Sequence, residues 1–323
     1  MRVAVLGGGN GSFAAAGDLA LAGHEVRFWR RDRAAIAAHT TAGGLITVKD
    51  FRGRHETKPA LITGDIAAAI RGAELIVSPV PAPAQADIAR LIAPHLAPGQ
   101  VVFLPPGTFG SFVFAKALRE EGNRADVAFA ETGTLPWLAR KHGPFEVAIT
   151  VRAKRLPTGV LPLRLGEHAL SVIGEAFPGA IESCGDALSG ALMNAGPIIH
   201  PPLIIMNAAP LEHFERWDIH KEGTQAAVRR VTDALDAERI AIREAFGYGP
   251  PHFPLANHYA RDGEEWMYGR GSHDKLTDSG DWRENIVLTQ HRYMLEDVRF
   301  GLSFLASAGG YAGVAAPLAR AFL

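Results

Sequence analysis

The first 33 residues, MRVAVLGGGNGSFAAAGDLALAGHEVRFWRRDR, constrain the fold more than any other stretch of this chain. Arg2 to Leu6 is a short apolar run, and Gly7, Gly8, Gly9 and Gly11 follow at once. A helix of small residues comes next, Gly23 stops it, and Glu25 to Trp29 reads as a second strand. Strand, glycine turn, helix and strand make one βαβ unit, the local context in which a glycine-rich turn binds a dinucleotide. Without that context a glycine-rich turn would suit many other α/β folds.

Each position in the turn has a physical task. Gly7 can make the tight bend, and Gly9 lets the backbone approach a pyrophosphate. Asn10, Gly11 and Ser12 open the helix, whose first amides and positive dipole end hold phosphate oxygens. Ser12 stands at the third glycine position of the motif, and the small Ala14, Ala15, Ala16 and Gly17 allow the helix to pack tightly on the sheet. The end of the second strand selects the cofactor. An acidic residue there bonds the ribose of NAD, and an arginine accommodates the 2′-phosphate of NADP. The strand ends Trp29, Arg30, Arg31, Asp32. Arg30 and Arg31 therefore point to NADP; NAD remains the alternative if Asp32 reaches the ribose.

Strand and helix signals keep alternating. Leu61 to Thr63, Glu74 to Ser78, Gln100 to Leu104, Asp126 to Ala130 and Val147 to Val151 read as strands; Ile66 to Arg71, capped by Asp65, and Ala84 to Ala93 read as helices. The turns carrying Val80 and Pro81, and then Pro106, follow strand ends, where ligands of open α/β sheets sit. They are candidate nicotinamide contacts, although ordinary loop punctuation explains the prolines equally well. Past residue 155 the strand signal fades. Leu156 to Leu165 reads as a proline-broken connector, and Ala187 to Ile199, Thr224 to Phe246, Trp282 to Phe300 and Val314 to Phe322 read as helices. The expected architecture is α/β: an N-terminal Rossmann-type doubly wound parallel sheet at residues 1–155, a connector at 156–186, and an all-α domain at 187–323.

Composition sets the outer bounds. A net charge of −1 gives no bulk attraction to nucleic acid or an anionic membrane. The single cysteine, Cys184, excludes an internal disulfide framework. The 13 histidines show no paired-ligand spacing, so no metal site is expected. No apolar run is expected to reach a membrane span, and the chain opens directly on a strand, which together suggest a cytoplasmic protein. A homodimer through the helical domain is a further expectation.

Two places in the second half combine titratable side chains with helix context. In ALMNAGPIIHPPLIIMNA, Asn194 and His200 interrupt an apolar run, and Pro197 and Pro201 are expected to break or kink the helix. A partly desolvated histidine facing a cleft can be tuned near neutrality; a core histidine satisfied by backbone carbonyls is the structural alternative. In HRYMLEDVRFG, Arg292 and Glu296 are four apart and suited to pair, with Asp297 on another face. A solvated charged helix explains that segment equally well.

Five motifs in order make the chain resemble the octopine/nopaline dehydrogenase family, the opine dehydrogenases. They are the GGGNGS loop, ETGTLPWLAR from Glu131 to Arg140, NAGPIIHPPLIIMNAA with its His-Pro, DAERIAIREAFG from Asp236 to Gly247, and YMLEDV with its Glu-Asp. The resemblance implies reductive condensation of an amino acid with an α-keto acid through an imine, with hydride from NAD(P)H, and the reverse oxidation. It also implies a histidine–aspartate dyad, which maps onto His200 and Asp297. A carboxylate on one imidazole nitrogen fixes the tautomer, so the other nitrogen can act as general acid or base. Substrate carboxylates call for guanidinium partners, for which Arg292 and Arg140 are the candidates, with Asn194 and Glu131 as further substrate-binding candidates. The apolar Ile204, Ile205, Phe214, Trp217 and Trp266 hint at a hydrophobic amine. Two positions depart from the pattern: Gly196 stands where a close relative in that family carries an asparagine, and Arg30 stands where a NAD-using member carries an acid.

Two competing readings keep the glycine loop. One is another two-domain dehydrogenase of the ketopantoate, 3-hydroxyacid or glycerol-3-phosphate type. Several of these place a catalytic lysine four residues before an asparagine; here Gly190 holds that place before Asn194, and no lysine lies between Lys154 and Lys221. The other is a non-catalytic dinucleotide sensor, which would have no use for the dyad.

Overall fold

The structure is a computed structural model describing residues 1–323. Its contacts divide the chain into two compact units, Met1–Ala191 and Leu192–Leu323.

The strands of the first unit are β1 (Arg2–Leu6), β2 (Glu25–Trp29), β3 (Ile46–Asp50), β4 (Gly53–Thr57), β5 (Leu61–Thr63), β6 (Leu75–Val77), β7 (Val101–Leu104), β8 (Ala128–Thr132), β9 (Trp137–Lys141), β10 (Glu146–Arg152), β11 (Leu156–Leu161) and β12 (Ile181–Asp186). Eight of them form the main sheet in the order β12-β11-β8-β7-β6-β1-β2-β5. All neighbours in it run parallel except β8 and β11. β1 is central, with Arg2 opposite Glu25 and Leu6 opposite Trp29 on β2. Its Val3 and Val5 enter one apolar cluster and its Ala4 and Leu6 another, as the alternation of a strand buried on both faces requires.

The helices of this unit are α1 (Asn10–Leu21), α2 (Arg33–Thr41), α3 (Ile66–Ile70), α4 (Ala82–Ile92), α5 (Gly110–Glu120), α6 (Gly166–Ala176) and α7 (Ala187–Ala191). A second, four-stranded sheet, β4-β3-β10-β9, lies against α1. It gives the small residues of α1 a reason beyond packing on the main sheet: a Cβ at Gly17 would come within 2.6 Å of Val48 Cγ2 on β3. The helix is wedged between two sheets.

Residues 156–186 are not a connector. They form β11, α6 and β12, and both strands belong to the main sheet. Pro157 fits because its ring lies in a strand whose register shifts near Thr158 and Gly159, where ladder pairing is already irregular.

The second unit contains α8 (Gly196–Ile205), α9 (Ala208–His213), α10 (Ala226–Ala245), α11 (Ala256–Tyr259), α12 (Ser272–Ser279), a π-helical segment (Tyr293–Leu302), α13 (Ser303–Ala312) and α14 (Pro317–Ala321). A two-stranded ribbon pairs Trp217 with Glu284 and Asp218 with Arg283, so the unit is not purely helical. The helix expected over Ala187–Ile199 ends at Ala191 and restarts at Gly196. Pro197 falls in its first turn, where a missing amide costs nothing, while Pro201 and Pro202 lie inside it. The stretch Ala187–Ile205 does reach the length and hydropathy of a membrane span, against expectation; 67% of it is buried in protein. The helix expected over Trp282–Phe300 begins only at Tyr293.

Candidate active site

In the first unit the glycine loop leaves β1 and enters α1. Gly7 has φ +111°, a conformation that costs any residue with a Cβ, and its amide donates to Trp29 O at 3.0 Å. Ser12 is not merely a tolerated third glycine. It is buried, and its hydroxyl donates to Leu6 O at 3.1 Å, tying α1 to the end of β1. Gly8 and Gly9 are exposed, nothing lies within 4 Å of a Cβ built at Gly9, and no side chain caps the first turn of α1. A phosphate-sized anion can therefore approach the opening amides. Asn10 faces the other way: its Oδ1 accepts from Lys141 N at 3.0 Å. Gly11 lies under the turn after β6, with Pro79 Cβ 3.2 Å from a built Cβ. Val80, in the same turn, is buried beside Gly7; Pro81 is exposed and precedes α4.

Arg30 leaves the end of β2 and turns back over the loop. Its Nε lies 3.2 Å from a Cβ built at Gly8. Nη1 donates to Ala35 O at 3.2 Å, whereas the buried Nε has no partner. Burial lowers its pKa. Asp32 accepts from Ala35 N at 3.0 Å and caps α2, while Arg31 is exposed.

The turn after β7 holds Pro106 and two successive left-handed residues, Thr108 (φ 52°) and Phe109 (φ 63°). Such strain persists only where its surroundings impose it. Glu131 does so here. It is fully buried at the end of β8 and accepts from Phe109 N at 2.8 Å, Ser111 N at 3.2 Å and the Ser111 hydroxyl. Gln85 adds a bond from Nε2 to Gly107 O at 2.8 Å. Burial pushes Glu131 up to about 7, opposed by its hydrogen bonds to Ser111 and Phe109. Its carboxyl thus braces backbone. Arg140 lies on β9, partly buried.

In the second unit α8 and the π segment are packed together. His200 on α8 and Asp297 on the π segment are 97 positions apart in sequence, and His200 Nδ1 bonds Asp297 Oδ2 at 2.7 Å. Tyr293, four residues before Asp297, stacks on the imidazole at 3.8 Å between centroids and 15° between planes. One helical face therefore grips the ring by its edge and its flat side. His220 meets it edge-on at 6.0 Å. The imidazole side chain stays 18% exposed, enough for a substrate atom to touch it. Burial pushes Asp297 up to about 7, with Arg292 and His291 pulling it back. Burial therefore favours a proton on the pair over a bare carboxylate at Asp297.

Gly196 explains its own departure from the expected asparagine. A Cβ there would lie 2.5 Å from Asp297 Oδ1 and 3.3 Å from Asn194 Oδ1. Asn194 is buried, and its Oδ1 accepts from Gly196 N at 3.0 Å, stabilising the turn into α8. Arg292 is exposed and pairs with Glu296 at 3.3 Å. Of the apolar candidates, Ile204 and Trp266 are core, Ile205 and Trp217 are partly buried, and Phe214 is half exposed and stacked on Trp217 at 5.4 Å. Sequence reasoning missed Tyr293; its spacing four residues before Asp297 is the one signal that could have found it.

Comparison with known proteins adds a family context. The profile described as NAD/NADP octopine/nopaline dehydrogenase, alpha-helical domain, matches residues 183–323. The opine dehydrogenase of Arthrobacter sp. (strain 1C) is 32% identical over 330 residues, covering 99% of this chain and 88% of its own. An octopine dehydrogenase solved with NADH and agmatine aligns at TM-score 0.75 and 20% identity, over 100% of this chain and 87% of that one. A yersinopine dehydrogenase solved with NADP+ aligns at TM-score 0.69 and 15% identity, over 100% and 89%.

Proposed function

Because the chain belongs to the octopine/nopaline dehydrogenase family, we propose that it joins an amino acid to an α-keto acid by NAD(P)H-dependent reduction of their imine, and runs the reverse oxidation. The observation that carries this reading is the His200–Asp297 hydrogen bond at 2.7 Å under the Tyr293 ring.

The residues of the first unit suit a dinucleotide. The open loop at Gly7, Gly9, Asn10, Gly11 and Ser12 would take the pyrophosphate, and the unpartnered Arg30 Nε awaits an acceptor. Val80, Pro81 and Pro106 would border the nicotinamide. Bound there, the cofactor supplies hydride. Arg30 and Arg31, with Asp32 committed to capping α2, favour NADP over NAD.

The dyad handles protons. With Nδ1 held by Asp297, Nε2 is the nitrogen that exchanges a proton with substrate. It donates to the carbinolamine oxygen as water departs, and accepts a proton in the reverse direction. Asp297 stabilises the protonated ring and holds its orientation. Arg292 and Arg140 are assigned to substrate carboxylates, and Asn194 to shaping the pocket mouth beside the dyad. Glu131 acts indirectly, by holding the strained turn at 107–111 in place.

The test is NADPH and NADH oxidation with pyruvate plus a panel of amino acids. Turnover that requires both substrates supports the reading. Turnover with a keto acid alone would replace it with a hydroxyacid dehydrogenase, and no turnover with any pair would leave a binding protein.

A further inference from the structure

Lys141 belongs to neither the glycine motif nor the dyad, yet it sits against both ends of the cofactor loop's opening turn. It is the last residue of β9, and its amide donates to Asn10 Oδ1 at 3.0 Å, tying that strand to the start of α1. Its Nζ lies 4.0 Å from the centroid of the Phe13 ring. Arg30 Cζ lies 5.3 Å from the same centroid. Two cations therefore converge on one buried aromatic ring, three residues into α1. Phe13 is fully buried and Lys141 only partly exposed.

Neither cation has an ion-pair partner, and Arg30 keeps a buried Nε with no acceptor. Asp32, the carboxylate that acts on Arg30, is committed to capping α2. Burial lowers the pKa of both cations, and the charge of Arg30 lowers that of Lys141 further. A ring face offsets such repulsion only weakly. Two partly buried like charges that share one ring make a favourable place for an anion.

We propose that Lys141 and Arg30 together clamp the 2′-phosphate of NADP over the Phe13 ring, which makes Lys141 a second determinant of cofactor choice. This rests on the NADP reading above. The pyrophosphate is the other anionic group of the cofactor, but the opening amides of α1 are its partners. Arg30 stands at the end of β2, where the adenosine ribose is read, and Lys141 shares its ring. A phosphomonoester gathers close to two negative charges on one phosphorus near neutrality and matches two converging cations, whereas the pyrophosphate spreads its two charges over two phosphorus atoms.

The experiment is equilibrium titration of the full-length protein, without amino or keto acid, using NADP+, NAD+ and 2′,5′-ADP. Lys141→Met is expected to weaken NADP+ and 2′,5′-ADP about tenfold and to change NAD+ by less than about twofold. Lys141→Arg is expected to keep NADP+ affinity, and thermal melting checks that both variants fold. Equal weakening of NADP+ and NAD+ would overturn the proposal in favour of a pyrophosphate or purely structural role. Unchanged NADP+ affinity, in a protein that prefers NADP+, would overturn Lys141 alone. A wild-type protein that binds NADP+ no better than NAD+ would overturn the NADP reading and Lys141 with it.

Discussion

The glycine loop and the dyad are built by opposite means. At the loop, chain-adjacent residues shape a surface of exposed backbone, and side chains enter from outside it: Arg30 from β2 and Lys141 from β9. At the dyad, backbone recedes and three side chains meet from two segments 97 residues apart, on a helix interrupted by prolines and on a π-helical turn. Under the proposed function the loop would hold its ligand through backbone amides, whereas at the dyad each side chain is held by another.

That contrast can be broken by mutation. His200→Ala is expected to lower kcat about 1000-fold, within the usual range for a lost general acid–base, while the NADP+ dissociation constant stays within about twofold. A parallel loss of cofactor affinity in titration would show that the two sites do not function separately. Gly196→Asn, which restores the residue of the family pattern, would drive a side chain into Asp297 Oδ1. It is expected to reduce kcat about 100-fold with a lowered melting temperature. Normal activity would mean that the close approach does not constrain the dyad.

At the loop the effects are smaller. Arg30→Asp is expected to move the NADP/NAD ratio of kcat/KM by about 10- to 100-fold toward NAD, through loss of a charge-assisted contact. An unchanged ratio would remove Arg30 from the specificity surface. The smallest expected effect is on stability. Glu131 is raised to about 7 in the fold, so the unfolded chain releases its proton first. Its contribution is full below about pH 4.5 and falls as pH rises toward 7, on the order of a few kcal/mol at most. Denaturant titrations of Glu131→Gln across that range are expected to lack this slope. Parallel pH profiles for the two proteins would show that Glu131 titrates normally.

The same contrast sets what could be read beforehand. The βαβ unit was legible because one turn encodes it and every neighbour agrees. The alternation of β5 to β8 was legible from buried apolar runs. β3, β4 and β9 were not, because short apolar runs in β3 and β9 give way to charged residues such as Lys49 and Arg140, and β4 around Arg54 has no apolar run, so that all three resemble a loop. β11 was hidden by Pro157 and Pro162 at its two ends. His200 and Asp297 were identified through a family resemblance; their own surroundings suggested only a core histidine and a solvated helix. Lys141 left no spacing signature, because its cation–ring contact joins distant segments, and Tyr293 left only its four-residue spacing from Asp297. The exposed turn ahead of Tyr293 carries no apolar period that separates it from the helix expected there.

The π-helical segment Tyr293–Leu302 has a consequence for how such enzymes diverge. Each of its hydrogen-bonded loops contains one more residue than an α-helical loop. Removing a single codon between Tyr293 and Asp297 would let the helix relax and rotate one of the two away by about 100°. Loss of one amino acid could therefore disarm the chain without unfolding it, and the descendants would look like ordinary members of the family in every other respect.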